Sequence, residues 1–134
     1  MSAILQKPLL DAGLVTTNLS AAHRFYGELL GFPVVGEVEF PEVGFIRRYA
    51  VGYSILRVFV PQTPPAAEGS REGFASQTGI RYLTIYISNL EAVVAALADA
   101  GFKIPVPVRE LRPGVLVAQA EDADGNTVEL TQEN

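Results

Sequence analysis

The feature that most constrains this chain is an internal repeat. Residues 13–32 read GLVTTNLSAAHRFYGELLGF, and residues 83–102 read LTIYISNLEAVVAALADAGF. Each copy is a short β-branched or aromatic run, an Asn-Leu pair, a helix-like stretch and a closing Gly-Phe. The Asn-Leu pairs begin at Asn18 and Asn89 and the Gly-Phe pairs at Gly31 and Gly101, a period of about seventy residues. A chain of 134 residues holds two such units and no third.

Both units obey the same local physics. Asn18 and Asn89 are suited to cap a helix, because their side-chain oxygens accept the unpaired N–H groups of a first turn. After the first cap, Leu19, Ala22, Tyr26, Leu29 and Leu30 make a one-sided stripe; after the second, Leu90, Val93, Val94 and Leu97 make another. Gly31 and Gly101 stand where a left-handed residue ends a helix. The other segments read as strands: Leu10–Thr17, Pro33–Phe40, Gly44–Val51 and Tyr53–Val60, then Arg81–Ser88, Lys103–Leu111, Val115–Glu121 and Thr127–Thr131. Turn chemistry separates them at Phe40-Pro41-Glu42, Arg112-Pro113-Gly114 and Asp122-Ala123-Asp124-Gly125-Asn126. The pattern is βαβββ twice. It predicts one domain over 1–134, with a first module at about 8–60, a Pro/Ala/Gly/Ser-rich linker at 61–79 and a second module at about 80–132.

Composition narrows the chemistry. Without a single cysteine, disulfide frameworks, thiolate metal sites and cysteine nucleophiles are all excluded. A net charge of −5 argues against a nucleic-acid partner. No apolar run is long enough to span a membrane, and Met1–Gly13 has no uninterrupted apolar stretch of the signal-peptide kind, so the expected location is cytoplasmic, with no membrane partner. There is one histidine, His23, on the first helix, where a solvent or interface position is expected.

Three segments resemble the vicinal oxygen chelate superfamily of glyoxalases, bleomycin-resistance proteins and extradiol dioxygenases. They are Thr17-Asn18-Leu19 through Phe25-Tyr26 to Leu30-Gly31-Phe32, then Ser88-Asn89-Leu90 to Ala100-Gly101-Phe102, and the closing Asp122–Asn126 turn before Val128-Glu129-Leu130. Ala123 stands where that family usually has proline. The resemblance implies an α+β fold in which two βαβββ modules form a curled mixed sheet with a concave cleft, and it implies a homodimer. Strand physics agrees, since one face of each sheet packs on helices and leaves the other free.

Enzymes of the family hold a divalent ion with four side chains from the first and last strands of each module. Carried over, those positions are Asp11, Tyr82, Glu129 and either Leu56 or Arg57. Only Asp11 and Glu129 are ready oxygen ligands; a tyrosine is protonated near neutrality and an arginine carries a fixed positive charge. No imidazole occupies any of the four, so neither a metal nor any other cofactor is expected.

Alternation places Asp11, Gly13, Val15 and Thr17, then Tyr82, Thr84 and Tyr86, then Thr127, Glu129 and Thr131 on the cleft side. It leaves open which face of 44–51 lines the cleft. Ligand binding is therefore assigned to Asp11, Arg57, Tyr82, Tyr86 and Glu129, with Glu129 also the candidate catalytic residue and Arg57 or Tyr82 its expected partner. The expected ligand is a small aromatic or amphipathic molecule. The alternative is a divergent glyoxalase-like lyase, isomerase or dioxygenase using Glu129. The chain lacks tryptophan, on which drug-binding members often stack their ligands.

Overall fold

A computed structural model describes all 134 residues. The first module runs β1 (Ala12–Val15), α1 (Leu19–His23) continued by a π-helical segment (Arg24–Leu29), β2 (Val34–Phe40), β3 (Gly44–Val51) and β4 (Ser54–Pro61). The second runs β5 (Tyr82–Tyr86), α2 (Leu90–Asp99), β6 (Val106–Arg112), β7 (Val115–Glu121) and β8 (Thr127–Glu133). They form two four-stranded mixed sheets of identical order, β1-β4-β3-β2 and β5-β8-β7-β6. In each, the first strand lies parallel to the last and the other pairs are antiparallel. The helix that carries the chain from first strand to second crosses one face, which is why one face is dry and the other open.

The dry face is the core. Tyr49, Leu56 and Val58 from the first sheet and Ala118, Ala120, Val128 and Leu130 from the second close on Phe25, Tyr26, Leu90 and Leu97 of the helical segments. Phe25 packs edge-on against Phe102 of the other module, with ring centroids 5.1 Å apart. A buried hydrogen bond also joins the modules: the Tyr26 hydroxyl donates to Asp122 Oδ2 at 2.7 Å. Burial, and then the Asp122 charge, hold the Tyr26 phenol far above its ordinary pKa, so it is a permanent donor.

Two local features depart from the sequence-based expectation. The first helix is α-helical only to His23; beyond it the amide of Leu30 reaches back five residues to the Phe25 carbonyl at 2.9 Å. The wider turn puts consecutive Phe25 and Tyr26 both at zero exposure. Asn18 caps α1 as expected, accepting from the Ala21 amide at 3.1 Å. Asn89 makes no such bond with its side chain. Instead Gln132 on β8 accepts the Leu90 amide at 2.9 Å, so the second helix is capped from the neighbouring sheet. The linker forms a short 3₁₀ turn, Phe74–Ser76, and Arg71 donates to the Ala123 carbonyl of the closing turn at 3.1 Å.

Candidate functional site

Strand alternation and burial fix the open faces. On β4, Leu56 is 3% exposed and sits in the core, so of the two residues left open at the fourth position it is Arg57 that faces outward. On β3, Tyr49 is fully buried, which turns Ile46, Arg48 and Ala50 to the open side and resolves the ambiguity of that strand. Arg47 falls on the opposite side, held by Glu37 at 3.0 Å. On the second sheet, Tyr82, Thr84 and Tyr86 stand on the open face of β5 beside Glu129 of β8.

Asp11 is the best-anchored candidate. It immediately precedes β1, where the parallel pairing of Ala12 with Leu56 brings it to the start of β4. Its Oδ1 accepts the Ile55 amide at 2.8 Å and its Oδ2 accepts Arg57 Nη1 at 3.0 Å. The Ile55 amide first, and then the Arg57 guanidinium, hold its carboxyl below the usual carboxylate range. Asp11 is therefore ionised throughout the neutral and mildly acidic range.

Glu129 takes a different partner from the one expected. Its Oε1 accepts from Thr84 Oγ1 at 3.1 Å, neither Arg57 nor Tyr82 being its partner. The physical reason is connectivity: Arg57 belongs to the first sheet, where Asp11 satisfies it, whereas Thr84 is directly opposite Glu129 in the β5–β8 ladder. Thr127 and Thr131, flanking Glu129 on the same strand, are nearly inaccessible at 4% and 7%.

A cavity of about 380 Å³ lies at the seam between the modules. Asp11, Ile55 and Leu56 line it from the first, Tyr82, Leu83 and Thr84 from the second. Its volume falls in the range of small-molecule sites, and most of its lining is apolar. It brings together Asp11 and Tyr82; Glu129 adjoins it through Thr84, and Tyr86 lies outside it, 66% exposed. Linker residue Phe74 stands edge-on to Tyr82, with ring centroids 5.5 Å apart, outside the cavity lining itself.

The carried-over metal positions do not suit a divalent ion. Arg57 offers no lone pair, Asp11 is engaged by it, and no group of three or more His, Cys, Asp or Glu side chains gathers anywhere in the chain. His23 supplies no ligand either. It is half-buried, and its Nδ1 is hydrogen-bonded to the buried Tyr49 hydroxyl at 2.8 Å.

Two βαβββ modules, each with one open sheet face, and a cavity lined by both define a vicinal-oxygen-chelate type of protein. Comparison with known proteins agrees. The Glyoxalase/Bleomycin resistance protein/Dioxygenase superfamily model matches residues 9–130, and the chain belongs to that superfamily. No curated protein matches it. Among solved structures it is similar to a glyoxalase family protein from Bacillus cereus, with a TM-score of 0.80 at 19% identity, covering 98% of this chain and 99% of that one. It is also similar to a glyoxalase family protein from Enterococcus faecalis, with a TM-score of 0.67 at 27% identity over 91% and 93%. The trypanothione-dependent glyoxalase I of Leishmania major gives a TM-score of 0.74 at 17% identity over 96% and 88%.

Proposed function

We propose that this chain is a metal-free member of the superfamily that binds a small aromatic or amphipathic molecule between the open faces of its sheets. The Asp11–Arg57 ion pair carries this reading. It joins the two first-module positions at which family enzymes place metal ligands, and there a cation and an anion neutralise each other. Tyr82 and the apolar seam supply a surface for a planar ligand, with Glu129 as its hydrogen-bond acceptor. A second reading, a lyase, isomerase or dioxygenase relative with Glu129 as acid or base, draws on the likeness to glyoxalase I and on the open-face position of that carboxylate.

Elemental analysis of protein purified without added ions tests the metal-free reading: zinc, nickel, manganese and iron should be far below one per chain, and a stoichiometric ion would overturn it. Naphthol, an aromatic ring with one hydroxyl donor, serves as a binding probe. Glu129→Gln keeps the shape and removes the charge, so the fold should persist while naphthol binding weakens by about 1.5–3 kcal/mol. Unchanged affinity would remove Glu129 from the site.

The protein acts as a homodimer in this reading. It exposes 8667 Å², whereas a compact monomer of 14.4 kDa exposes about 6,800 Å². The extended first ten residues and the linker contribute, but so do Val34, Val35, Phe40 and Val43, exposed apolar side chains of the first module. Light scattering at micromolar concentration should give twice 14.4 kDa. A concentration-independent monomer mass is the contrary result.

A further inference from the structure

The open face of the first sheet carries a row of which the metal-free reading uses only Arg57. The strand registers align Gly13 on β1, Arg57 on β4, Arg48 on β3 and Gly36 on β2, so four neighbouring strands present Gly-Arg-Arg-Gly in one line. The next outward-facing row, two residues along, is Val15, Phe59, Ile46 and Val38. A doubly cationic line therefore runs beside a wholly apolar one.

Like charges directly opposite each other on adjacent strands destabilise a sheet. The fold offers only partial relief. Asp11 pairs with Arg57, but the Arg48 side chain has neither an ion pair nor a hydrogen bond; the arginine ion pairs are Arg24–Glu28, Arg47–Glu37 and Arg57–Asp11. Glu37 and Glu39 of β2 fall on the opposite face from Gly36, where Glu37 holds Arg47. The row is left with one uncompensated positive charge in a chain whose net charge is −5. The glycines at its ends keep it accessible. A methyl group at Gly13 would meet nothing within 4 Å, and one at Gly36 would come within 3.3 Å of Arg48 Nη1, so the Arg48 head lies over bare backbone.

We propose that this row is the subsite for the carboxylate of an amphipathic organic acid, whose apolar body lies along Val15, Phe59, Ile46 and Val38. The proposal rests on the small-molecule reading above and names the ligand class. Guanidinium groups match a carboxylate with parallel N–H···O bonds, and a single negative charge balances the row where a dianion would overshoot it.

Naphthoate and naphthol, which share a ring system and differ in charge at neutral pH, separate the two ideas. Calorimetric titration should find naphthoate bound about tenfold or more tightly than naphthol, a difference of about 1.4 kcal/mol. Arg48→Gln should abolish that preference, leave naphthol binding unchanged and leave the melting temperature equal or higher, since it removes a like-charge neighbour. Arg24→Gln removes one positive charge from the helix, where Arg24 pairs with Glu28, and should change neither affinity. If both probes bind equally, or Arg48→Gln keeps the naphthoate preference, or Arg24→Gln lowers it as much, the carboxylate subsite is wrong and the small-molecule reading stands. If neither probe binds, both fail together.

Discussion

Asp122→Ala is expected to lower folding stability by at least about 3 kcal/mol and the melting temperature by roughly 10 °C. This carboxylate is 6% exposed and closes a complete ring of donors. Oδ1 accepts the amides of Asp124 and Asn126, both at 2.9 Å; Oδ2 accepts Asn126 Nδ2 at 2.8 Å and the Tyr26 hydroxyl at 2.7 Å. Three of these bonds fold the turn that feeds Glu129 into β8, and the fourth ties it to the helix of the other module. Alanine would strand two amides, a carboxamide and a fully buried hydroxyl, and buried unsatisfied donors are costlier than the bonds themselves. Tyr26→Phe removes one bond and leaves Asp122 three donors, so about 1.5 kcal/mol is expected. Combining the two should cost less than their sum, because they share an interaction. Thermal melts of the two single variants and the double variant measure all three. A wild-type melting temperature for Asp122→Ala would show that the turn is held by backbone bonds alone.

The strands were legible because each has alternation bounded by turn residues, and because the second module repeats the first. Register was harder. Alternation within β3 offers Phe45, Arg47 and Tyr49 against Ile46, Arg48 and Ala50, and both sets are mixed. Only the burial of Tyr49, a tertiary fact, decides between them. The same limit explains Glu129. Its sequence position implied an open-face carboxylate, but its partner depends on which strand lies beside β8, and β5 placed Thr84 there. Arg48 belonged to one of those two sets, but its significance lies in standing opposite Arg57, a relation that exists only once β3 and β4 are paired. Gln132 escaped for a similar reason: it caps a helix that begins 42 residues earlier. The π-helical turn has no sequence period of its own, since it follows from burying Phe25 and Tyr26 together.

Gly27→Ala gives the other large effect, and its sign opposes helix propensity. Gly27 lies in the π-helical segment, where replacing glycine by alanine ordinarily stabilises by up to about 1 kcal/mol. Here a methyl group would overlap Nδ1 and Cε1 of His23 and sit 3.1 Å from its Nε2. The ring cannot yield freely, because its Nδ1 is bonded to the Tyr49 hydroxyl at 2.8 Å, and Tyr49 has no solvent exposure and only the Arg47 guanidinium, itself a donor, as a further polar neighbour. Overpacking costs about 1–3 kcal/mol and a buried hydroxyl left unpaired a similar amount, so the net expectation is a loss of about 2 kcal/mol. Tyr49→Phe isolates the mechanism. With the hydroxyl gone the imidazole has no tether, so Gly27→Ala should cost less in that background than in the wild type. Denaturant unfolding of the four proteins gives the coupling directly. A stabilised Gly27→Ala, or a cost identical in both backgrounds, would mean that the imidazole moves aside without losing anything, and that the His23–Tyr49 bond does not anchor the first helix to β3.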